Sequence, residues 1–295
     1  MKIVITGANG FLGKRVAKLL LEQKHHILAV VIPEEDTTFL AGLGVDIVRA
    51  DITIRDTLKS VFDGADVVIH LAALLNNANE RLNWLINYDG TKNVADFAEK
   101  AGVKRFIFTS SMTATGKNPN VYGQTKKKAE EYLKTKPFRK VIIRPTLLYG
   151  KEGFAFHKLI SLVNLVPFIV PVIGKGDATK QFIYVDDAAR IIAQTATMPL
   201  QKDVVFQLGG PDAKPFTDIL AMVLKAQGKR KLLVHMPRWI VWLSCSVAEH
   251  ITKNLPITRE AIIELETSTV VDYKILEKTF HVKLTPLENG IRKSV

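Results

Sequence analysis

The sequence predicts an α/β fold, a doubly wound parallel sheet covered by helices on both faces, with a smaller C-terminal domain attached. Three observations carry that prediction. Short β-branched runs alternate with longer stretches of helical spacing through the first half of the chain. A glycine-rich turn joins the first run to the first helical stretch. After Gly150 the alternation loosens and Pro and Gly become more frequent.

Ile3 to Thr6, Ile27 to Ile32, Asp46 to Ala50, Val67 to Leu71, Phe106 to Ser110 and Val141 to Arg144 read as strands, because near-continuous apolar runs suit strands buried on both faces. Phe11 to Gln23, Thr57 to Phe62, Leu82 to Ala101 and Tyr122 to Lys134 carry apolar residues at helical intervals. Phe182 to Thr197 reads as a strand and helix returning to the first domain. The expected division is therefore residues 1–150 with about 181–200 in the sheet domain, and 151–180 with 201–295 in the smaller one. No internal repeat or low-complexity segment interrupts the chain.

Forty-one Lys and Arg against 29 Asp and Glu give a net charge of +12, enough to attract phosphates or an anionic membrane surface. The basic residues are dispersed apart from Lys126-Lys127-Lys128, and no zinc-finger, basic-zipper or RNP-like pattern organises them, so no specific nucleic-acid partner is expected. The one cysteine, Cys245, has no partner for a disulfide and reads as core in a reducing cytoplasm. The seven histidines form no metal-ligand cluster with acids, so no metal is expected. Met1 leads directly into Lys2-Ile3-Val4-Ile5-Thr6 with no secretory signal pattern. The apolar stretch Leu159 to Ile173 contains Asn164, Pro167 and Pro171 and falls short of the roughly 20 residues a spanning helix needs, so it reads as buried or substrate-facing, and it is the basic surface that leaves peripheral membrane contact as an option.

Thr6 is followed by Gly7-Ala8-Asn9-Gly10-Phe11-Leu12-Gly13 and then by the helical Lys14 to Leu20. Glycines in a strand-to-helix turn let the backbone approach a pyrophosphate, while the free amides and dipole of the helix stabilise its charge. This context predicts a Rossmann-type site for NAD or NADP, with Gly7, Asn9, Gly10, Phe11, Leu12 and Gly13 on the cofactor. An NAD site offers an acid to the ribose about 20 residues on, and an NADP site an Arg. The second strand ends Val30-Val31-Ile32-Pro33 with neither; Glu34, Glu35 and Asp36 follow it, and Lys14 or Arg15 is the alternative for a 2′-phosphate.

Tyr122 and Lys126 are four apart and share one helical face, where a neighbouring ammonium favours the phenolate over the phenol. That pairing suits a general acid/base, and a Ser-bearing strand, Thr109-Ser110-Ser111, lies just upstream.

In order, Thr6 to Gly13, Ala50-Asp51-Ile52, His70-Leu71-Ala72-Ala73, Asn87-Tyr88-Asp89-Gly90-Thr91, Thr109-Ser110-Ser111, Tyr122-Gly123-Gln124-Thr125-Lys126, Arg144 to Gly150 and Phe182 to Asp187 make the chain resemble the extended short-chain dehydrogenase/reductases. That group includes the NAD-dependent epimerase/dehydratase-like proteins, and the short second domain also resembles the complex I accessory-subunit-like branch. The resemblance implies that Tyr122 is the acid/base, that Lys126 also bonds the nicotinamide ribose, and that a Ser hydroxyl orients the substrate oxygen. Ser111 fits that place, with Ser110 and Thr113 as competitors. It further implies that Asn87 supports the catalytic Lys, that Asp51 and Ile52 lie near adenine, that Leu71, Ala72 and Ala73 line the cofactor path, and that Pro145 and Thr146 contact the nicotinamide end. Each has a plain alternative: Asp51 capping a turn, Asn87 a structural amide, Ala72 and Pro145 ordinary packing.

The resemblance also narrows the reaction. Met112-Thr113 follows Ser111 where sugar-nucleotide dehydratases carry an acidic pair, and Lys180-Gln181 stands where epimerases carry a phosphate-binding Arg. Phe154, Phe156, Leu159, Ile160, Leu162, Val163, Phe168, Ile169, Trp239, Trp242 and Leu243 make the second domain apolar, as core or as a lining for a lipophilic substrate. The expected activity is an NAD(P)-dependent oxidoreductase acting on a small-molecule alcohol or ketone. The alternatives are a sugar-nucleotide epimerase that retains NAD and a dinucleotide-binding scaffold or accessory protein.

Overall fold

Ile3, Val4 and Ile5 are fully buried, as the central strand of a sheet covered on both faces requires. In the computed structural model, which describes residues 1–75, 79–117, 119–239 and 265–295, this run is the hub of the fold. The chain runs β1 (Lys2–Thr6), α1 (Gly13–Glu22), β2 (His26–Val31), α2 (Thr38–Leu43), β3 (Asp46–Arg49), β4 (Val67–His70), α3 (Glu80–Asn83), a π-helical stretch (Trp84–Gly90), α4 (Thr91–Lys100), β5 (Arg105–Thr109), α5 (Val121–Leu133) and β6 (Arg139–Pro145). It continues through β7 (Leu148–Tyr149), α6 (Phe154–Asn164), β8 (Ile169–Ile173), β9 (Thr179–Lys180), β10 (Ile183–Tyr184), α7 (Val185–Thr197), β11 (Val204–Leu208), β12 (Lys214–Pro215), α8 (Phe216–Ala226), β13 (Leu232–Met236), α9 (Lys274–Phe280) and α10 (Leu287–Ser294).

Seven strands form one parallel sheet in the order β11-β6-β5-β4-β1-β2-β3. The chain winds outward from β1 through β2 to β3, then restarts at β4 on the other side of β1. The strand order reverses between β1 and β4, and the loops leaving their carboxyl ends open the crevice where α/β sheets bind ligands. The core on one face of this sheet includes Val4, Val68, Val94, Ala98, Phe106, Phe108, Ala129 and Leu133.

The chain divides into two compact units. The first holds Met1–Pro145, Asp186–Leu208 and Lys278–His281, and the second holds Thr146–Val185, Gly209–Glu277 and Val282–Val295. The second has its own core, in which Tyr149, Phe156, Leu162, Val163, Val172, Phe182, Phe216 and Ile219 are buried. Its strands pair as β8–β13, β7–β10 and β9–β12.

The expected bounds shift: residues 146–150 fall in the second unit and Lys278–His281 in the first. Three further readings of the sequence change. Residues 201–208 do not belong with the smaller domain, because β11 pairs with β6 from Val204↔Val141 to Leu208↔Pro145 and completes the large sheet. Phe182 to Val185 does not return to that sheet as a strand; Ile183 and Tyr184 pair with Leu148 and Tyr149 in the second unit. Thr57 to Phe62 is not a helix. A single 3₁₀ turn covers Arg55–Leu58, the Thr57 hydroxyl donates to the carbonyls of Asp51 and Ile54 (both 2.8 Å), and Ser60 turns to a φ of 62°. Trp242, Leu243, Cys245 and His250 lie outside the described residues. Among the described residues no helix is long and apolar enough to cross a membrane, and no cluster of His, Cys, Asp and Glu is arranged to hold a metal ion.

Candidate active site

Gly7 sits at φ 69°, and a Cβ there would lie 2.6 Å from the Ala72 nitrogen, so only glycine lets the end of β1 pass this close to the segment after β4. A Cβ at Gly13 would collide with the Gly7 carbonyl oxygen. The two glycines thus fold the turn tightly against the first turn of α1, where Lys14 N donates to Gly10 O at 3.1 Å and the positive end of the helix dipole faces the loop. Gly10 N donates to Gly7 O at 3.1 Å and closes the loop. Asn9 donates to the Asp36 carbonyl at 2.8 Å, but its Oδ1 is buried with no hydrogen-bond partner among the described residues. An orphaned acceptor in a glycine turn fits a ligand bearing hydroxyl or amino donors, as a dinucleotide does. Leu12 is buried at the head of α1, and the Phe11 ring lies 4.9 Å under the Arg15 guanidinium.

Arg15 is spent elsewhere: it donates to Asp186 Oδ1 at 2.8 Å and to the Phe11 carbonyl at 2.7 Å. Asp36 Oδ1 accepts the amide and hydroxyl of Thr38 (2.9 and 2.6 Å), and these bonds hold its carboxyl below the usual range. Arg49, at the end of β3, reaches over this loop to the carbonyls of Pro33 and Glu35. Asp51 Oδ1 accepts from Thr53 N and Oγ1, both at 2.8 Å, which makes it a turn cap. Ile52 is buried with its side chain so close to Gly90 that a Cβ there would lie 2.7 Å from Cδ1.

Leu71 N donates to Thr6 O at 3.0 Å, carrying the β1–β4 pairing one residue past β4 and setting the course of Leu71, Ala72 and Ala73. Asn87 anchors the next step. Its side chain accepts from Leu74 N at 2.8 Å and donates to Leu74 O at 2.9 Å, a two-point clamp that absorbs its amide. His70, fully buried, connects the two regions. Thr91 Oγ1 donates to the Asn87 carbonyl at 2.7 Å, so toward His70 Nε2, 2.9 Å away, it acts as acceptor. Nε2 therefore carries the proton, and Nδ1 accepts from Thr6 Oγ1 at 2.6 Å. Burial, with the Lys126 charge second, pushes this imidazole down to about 3. The chain Thr6–His70–Thr91–Asn87–Leu74 ties the last residue before the glycine turn to the segment beyond β4.

Ser111 follows β5 and caps the 3₁₀ turn Met112–Thr115. Its Oγ accepts from Thr113 N at 3.1 Å and Thr113 Oγ1 at 2.8 Å, which leaves its own proton to donate. Thr113 thus holds Ser111. The Ser110 hydroxyl is buried and unpartnered among the described residues. Helix α5 starts beside this turn because Asn120 Oδ1 caps it, accepting Gly123 N at 2.8 Å. A Cβ at Gly123 would lie 2.7 Å from the Thr113 carbonyl oxygen and 2.8 Å from Pro119 Cβ. The first turn of α5, with Tyr122, is thereby pressed against the serine turn.

One turn on, Lys126 is 1% exposed and donates to the Thr109 carbonyl at 2.8 Å. Its Nζ is 4.6 Å from the Phe108 ring centre and 5.8 Å from that of Tyr122. Burial pushes the ammonium down to about 7, while the Glu130 carboxylate pulls it back up. Glu130, 3% exposed and one further turn along α5, is gripped by Arg144 of β6 through Nε at 2.9 Å and through Nη2. Ser111, Tyr122 and Lys126 are thus gathered by β5 and α5 of one unit. Pro145 is buried at the end of β6 opposite Leu208, and the next hydroxyl, Thr146 Oγ1, is buried without a partner among the described residues.

Sequence reasoning passed over Gly123, Glu130, Arg144 and the bonding of His70. Glu130 continues the Tyr122–Lys126 spacing by another four residues, a pattern that marks it. Arg144 and His70 depend on partners far apart in sequence, and Gly123 on the packing of a loop that no spacing announces.

The profile of the NAD dependent epimerase/dehydratase family matches residues 3–209. The chain belongs to that family. Its members include enzymes of more than one chemistry. The chain is 26% identical over 235 residues to the ceramide reductase of Caulobacter vibrioides, a match covering 80% of this chain and 73% of that one. It is 24% identical over 343 residues to 3beta-hydroxysteroid-dehydrogenase/decarboxylase isoform 2 of Arabidopsis thaliana, covering 99% of this chain and 61% of the other. In fold it is similar to the Thermus thermophilus UDP-glucose 4-epimerase solved with NAD, at 18% identity and a TM-score of 0.77, covering all of this chain and 97% of that one. Some curated relatives are matched over only 23% of their own length.

Proposed function

We propose that this family member is an NAD(H)-dependent oxidoreductase that interconverts a ketone and an alcohol on a lipophilic substrate, with Tyr122 as acid/base. The observation that carries the reading is the close approach of Gly123, in the first turn of α5, to the Thr113 carbonyl of the turn that Ser111 caps, with Lys126 buried one turn further along the same helix.

When bound, NADH supplies a hydride, two electrons and one hydrogen, to the carbonyl carbon. The Tyr122 hydroxyl gives its proton to the carbonyl oxygen as negative charge develops there, and the free proton of Ser111 hydrogen-bonds the same oxygen. Lys126, held on Thr109 O, places positive charge behind the Tyr122 ring and favours the phenolate that proton donation leaves. Gly7 to Gly13 would hold the pyrophosphate of the dinucleotide, and Asn9 Oδ1 would be available to accept from it. In the oxidative direction Tyr122 removes the alcohol proton.

Two observations favour a lipophilic substrate over a sugar nucleotide. Of the three proteins named above, the two found by sequence are named for lipid or steroid substrates, while the epimerase, at 18% identity, shares the fold alone. Lys180 and Gln181, at the place of the epimerase phosphate contact, are committed within the second unit: Lys180 donates to the Thr267 carbonyl, and Gln181 donates to Gly210 O and accepts from Val271 N, both at 2.6 Å. The deciding experiment is turnover of the purified protein with NADH and a panel of long-chain and steroidal ketones, beside UDP-glucose with the cofactor it carries. NADH consumption with a lipophilic ketone supports the reading. Conversion of UDP-glucose with tightly retained NAD, and no ketone reduction, refutes it.

A further inference from the structure

The second unit carries a feature that the reaction does not use. Leu165 and Phe168, just past the C-terminus of α6, are 52% and 82% exposed, and Leu232, at the start of β13, is 73% exposed. The three form one tip, because Leu232 N donates to Phe168 O at 3.1 Å and Leu232 pairs with Ile169 as β8 and β13 begin. A monomer gains nothing by presenting a phenylalanine and two leucines to water at one place.

The tip is also basic and braced. Lys229-Arg230-Lys231 immediately precedes Leu232, and no Asp or Glu occurs from Gly153 to Gly176 or from Ile219 to Trp239. Lys229 Nζ donates to Asn164 Oδ1 at 2.6 Å, and Lys231 Nζ donates to the carbonyls of Val163 and Val166 at 2.8 and 2.7 Å. Those two cations sit at the negative end of the α6 dipole and fasten the loop to the helix. Arg230, between them, is exposed. The apolar side chains are thus held outward on a rigid support, with cations at their base.

We propose that this tip docks the protein onto an anionic lipid bilayer, with Leu165, Phe168 and Leu232 entering the acyl boundary while the exposed Arg230 and Lys229 meet the headgroups. Apolar insertion plus charge attraction is how peripheral proteins hold a membrane surface. A second copy of the chain presenting the same tip is a poor occupant, since the Lys229-Arg230-Lys231 runs would face one another. The inference stands apart from the reading of the active site.

The test is cosedimentation of the full chain with vesicles of phosphatidylcholine alone and of equimolar phosphatidylcholine and phosphatidylglycerol, at low and high salt. The expected result is binding to the anionic vesicles only, weakened by salt. A combined Leu165→Ser, Phe168→Ser and Leu232→Ser variant is expected to lose at least about tenfold in affinity with an unchanged melting temperature. Arg230→Glu is expected to weaken binding in the same assay. The proposal is overturned if the wild type ignores anionic vesicles, or if the triple variant binds them as the wild type does. It is likewise overturned if the triple variant's only defect is loss of a dimer or of an acidic protein partner.

Discussion

The α-carbon of Gly123 lies against the main-chain carbonyl of Thr113, so near that a methyl group there would stand 2.7 Å from the oxygen. This approach couples two segments that carry different parts of the proposed chemistry: the turn that orients Ser111 and the helix that carries Tyr122 and Lys126. Neither neighbour of Gly123 is the end of a flexible side chain, since one is backbone and the other is a proline ring.

Gly123→Ala therefore pushes the start of α5 away from the serine turn. The expected cost is about 1–3 kcal/mol of stability, as for overpacking elsewhere, with a larger fractional loss in kcat than in NADH affinity. Thermal melts, NADH titration and steady-state rates on the one variant measure all three. Full activity in a normally folded Gly123→Ala protein contradicts the positional role.

Tyr122→Phe removes one hydroxyl and leaves the glycine turn intact. NADH binding is expected to stay within about twofold, while turnover falls by roughly 10²–10⁴, the usual worth of a positioned acid/base. Single-turnover measurement with a reducible ketone is the check, and an unimpaired rate removes Tyr122 from the mechanism.

The buried Glu130–Arg144 pair is expected to behave asymmetrically. Arg144→Leu alone takes from the buried Glu130 carboxylate its hydrogen-bonded partner, leaving only the Lys126 charge to offset it, and is expected to cost about 2–3 kcal/mol, whereas replacing both residues by apolar ones of similar volume costs less. Denaturant melts of the two variants beside the wild type decide it. Equal destabilisation by the single and double replacements counts against a paired burial.

His70 gives the fold a calculable acid sensitivity. Its imidazole binds a proton near the usual 6.5 when the chain is unfolded, but only near 3 in the native state. Between those values the unfolded chain holds more protons, so native stability falls as pH drops from about 6.5 toward 3. His70→Gln is expected to lower stability at neutral pH, by loss of the Thr6 and Thr91 bonds, yet to flatten this part of the pH profile. Parallel slopes for the variant and the wild type between pH 6.5 and 4 argue against the assignment.

Much of this arrangement was written openly in the sequence. Fully buried parallel strands leave contiguous runs such as Ile3-Val4-Ile5 and Phe106-Ile107-Phe108, and the glycine turn falls between one such run and a helix. In Thr57 to Phe62, Leu58, Val61 and Phe62 have helical spacing and are all buried, but successive turns deliver them to the core. Burial, not helix, was the content of that pattern. Val204-Val205-Phe206-Gln207-Leu208 escaped notice because, as an edge strand, it is only half buried and lies far from β6 in sequence. The Tyr122–Lys126 pair was legible because four residues on a helix guarantee proximity. The His70 network was not, since Thr6 and Thr91 stand 64 and 21 residues away.

The edge strand β11 has a consequence for how the molecule is made. Until Val204 to Leu208 has left the ribosome, the row of hydrogen-bonding groups along Val141, Ile142 and Ile143 has no neighbour on that side. The Phe206 ring in turn waits for Phe280, whose centre lies 4.9 Å away, some seventy residues later in synthesis. The nucleotide-binding half is therefore not a module that folds first and awaits its companion. A nascent chain stalled near residue 200 presents an apolar sheet margin to water, and it is in that interval that a holding chaperone has most to offer.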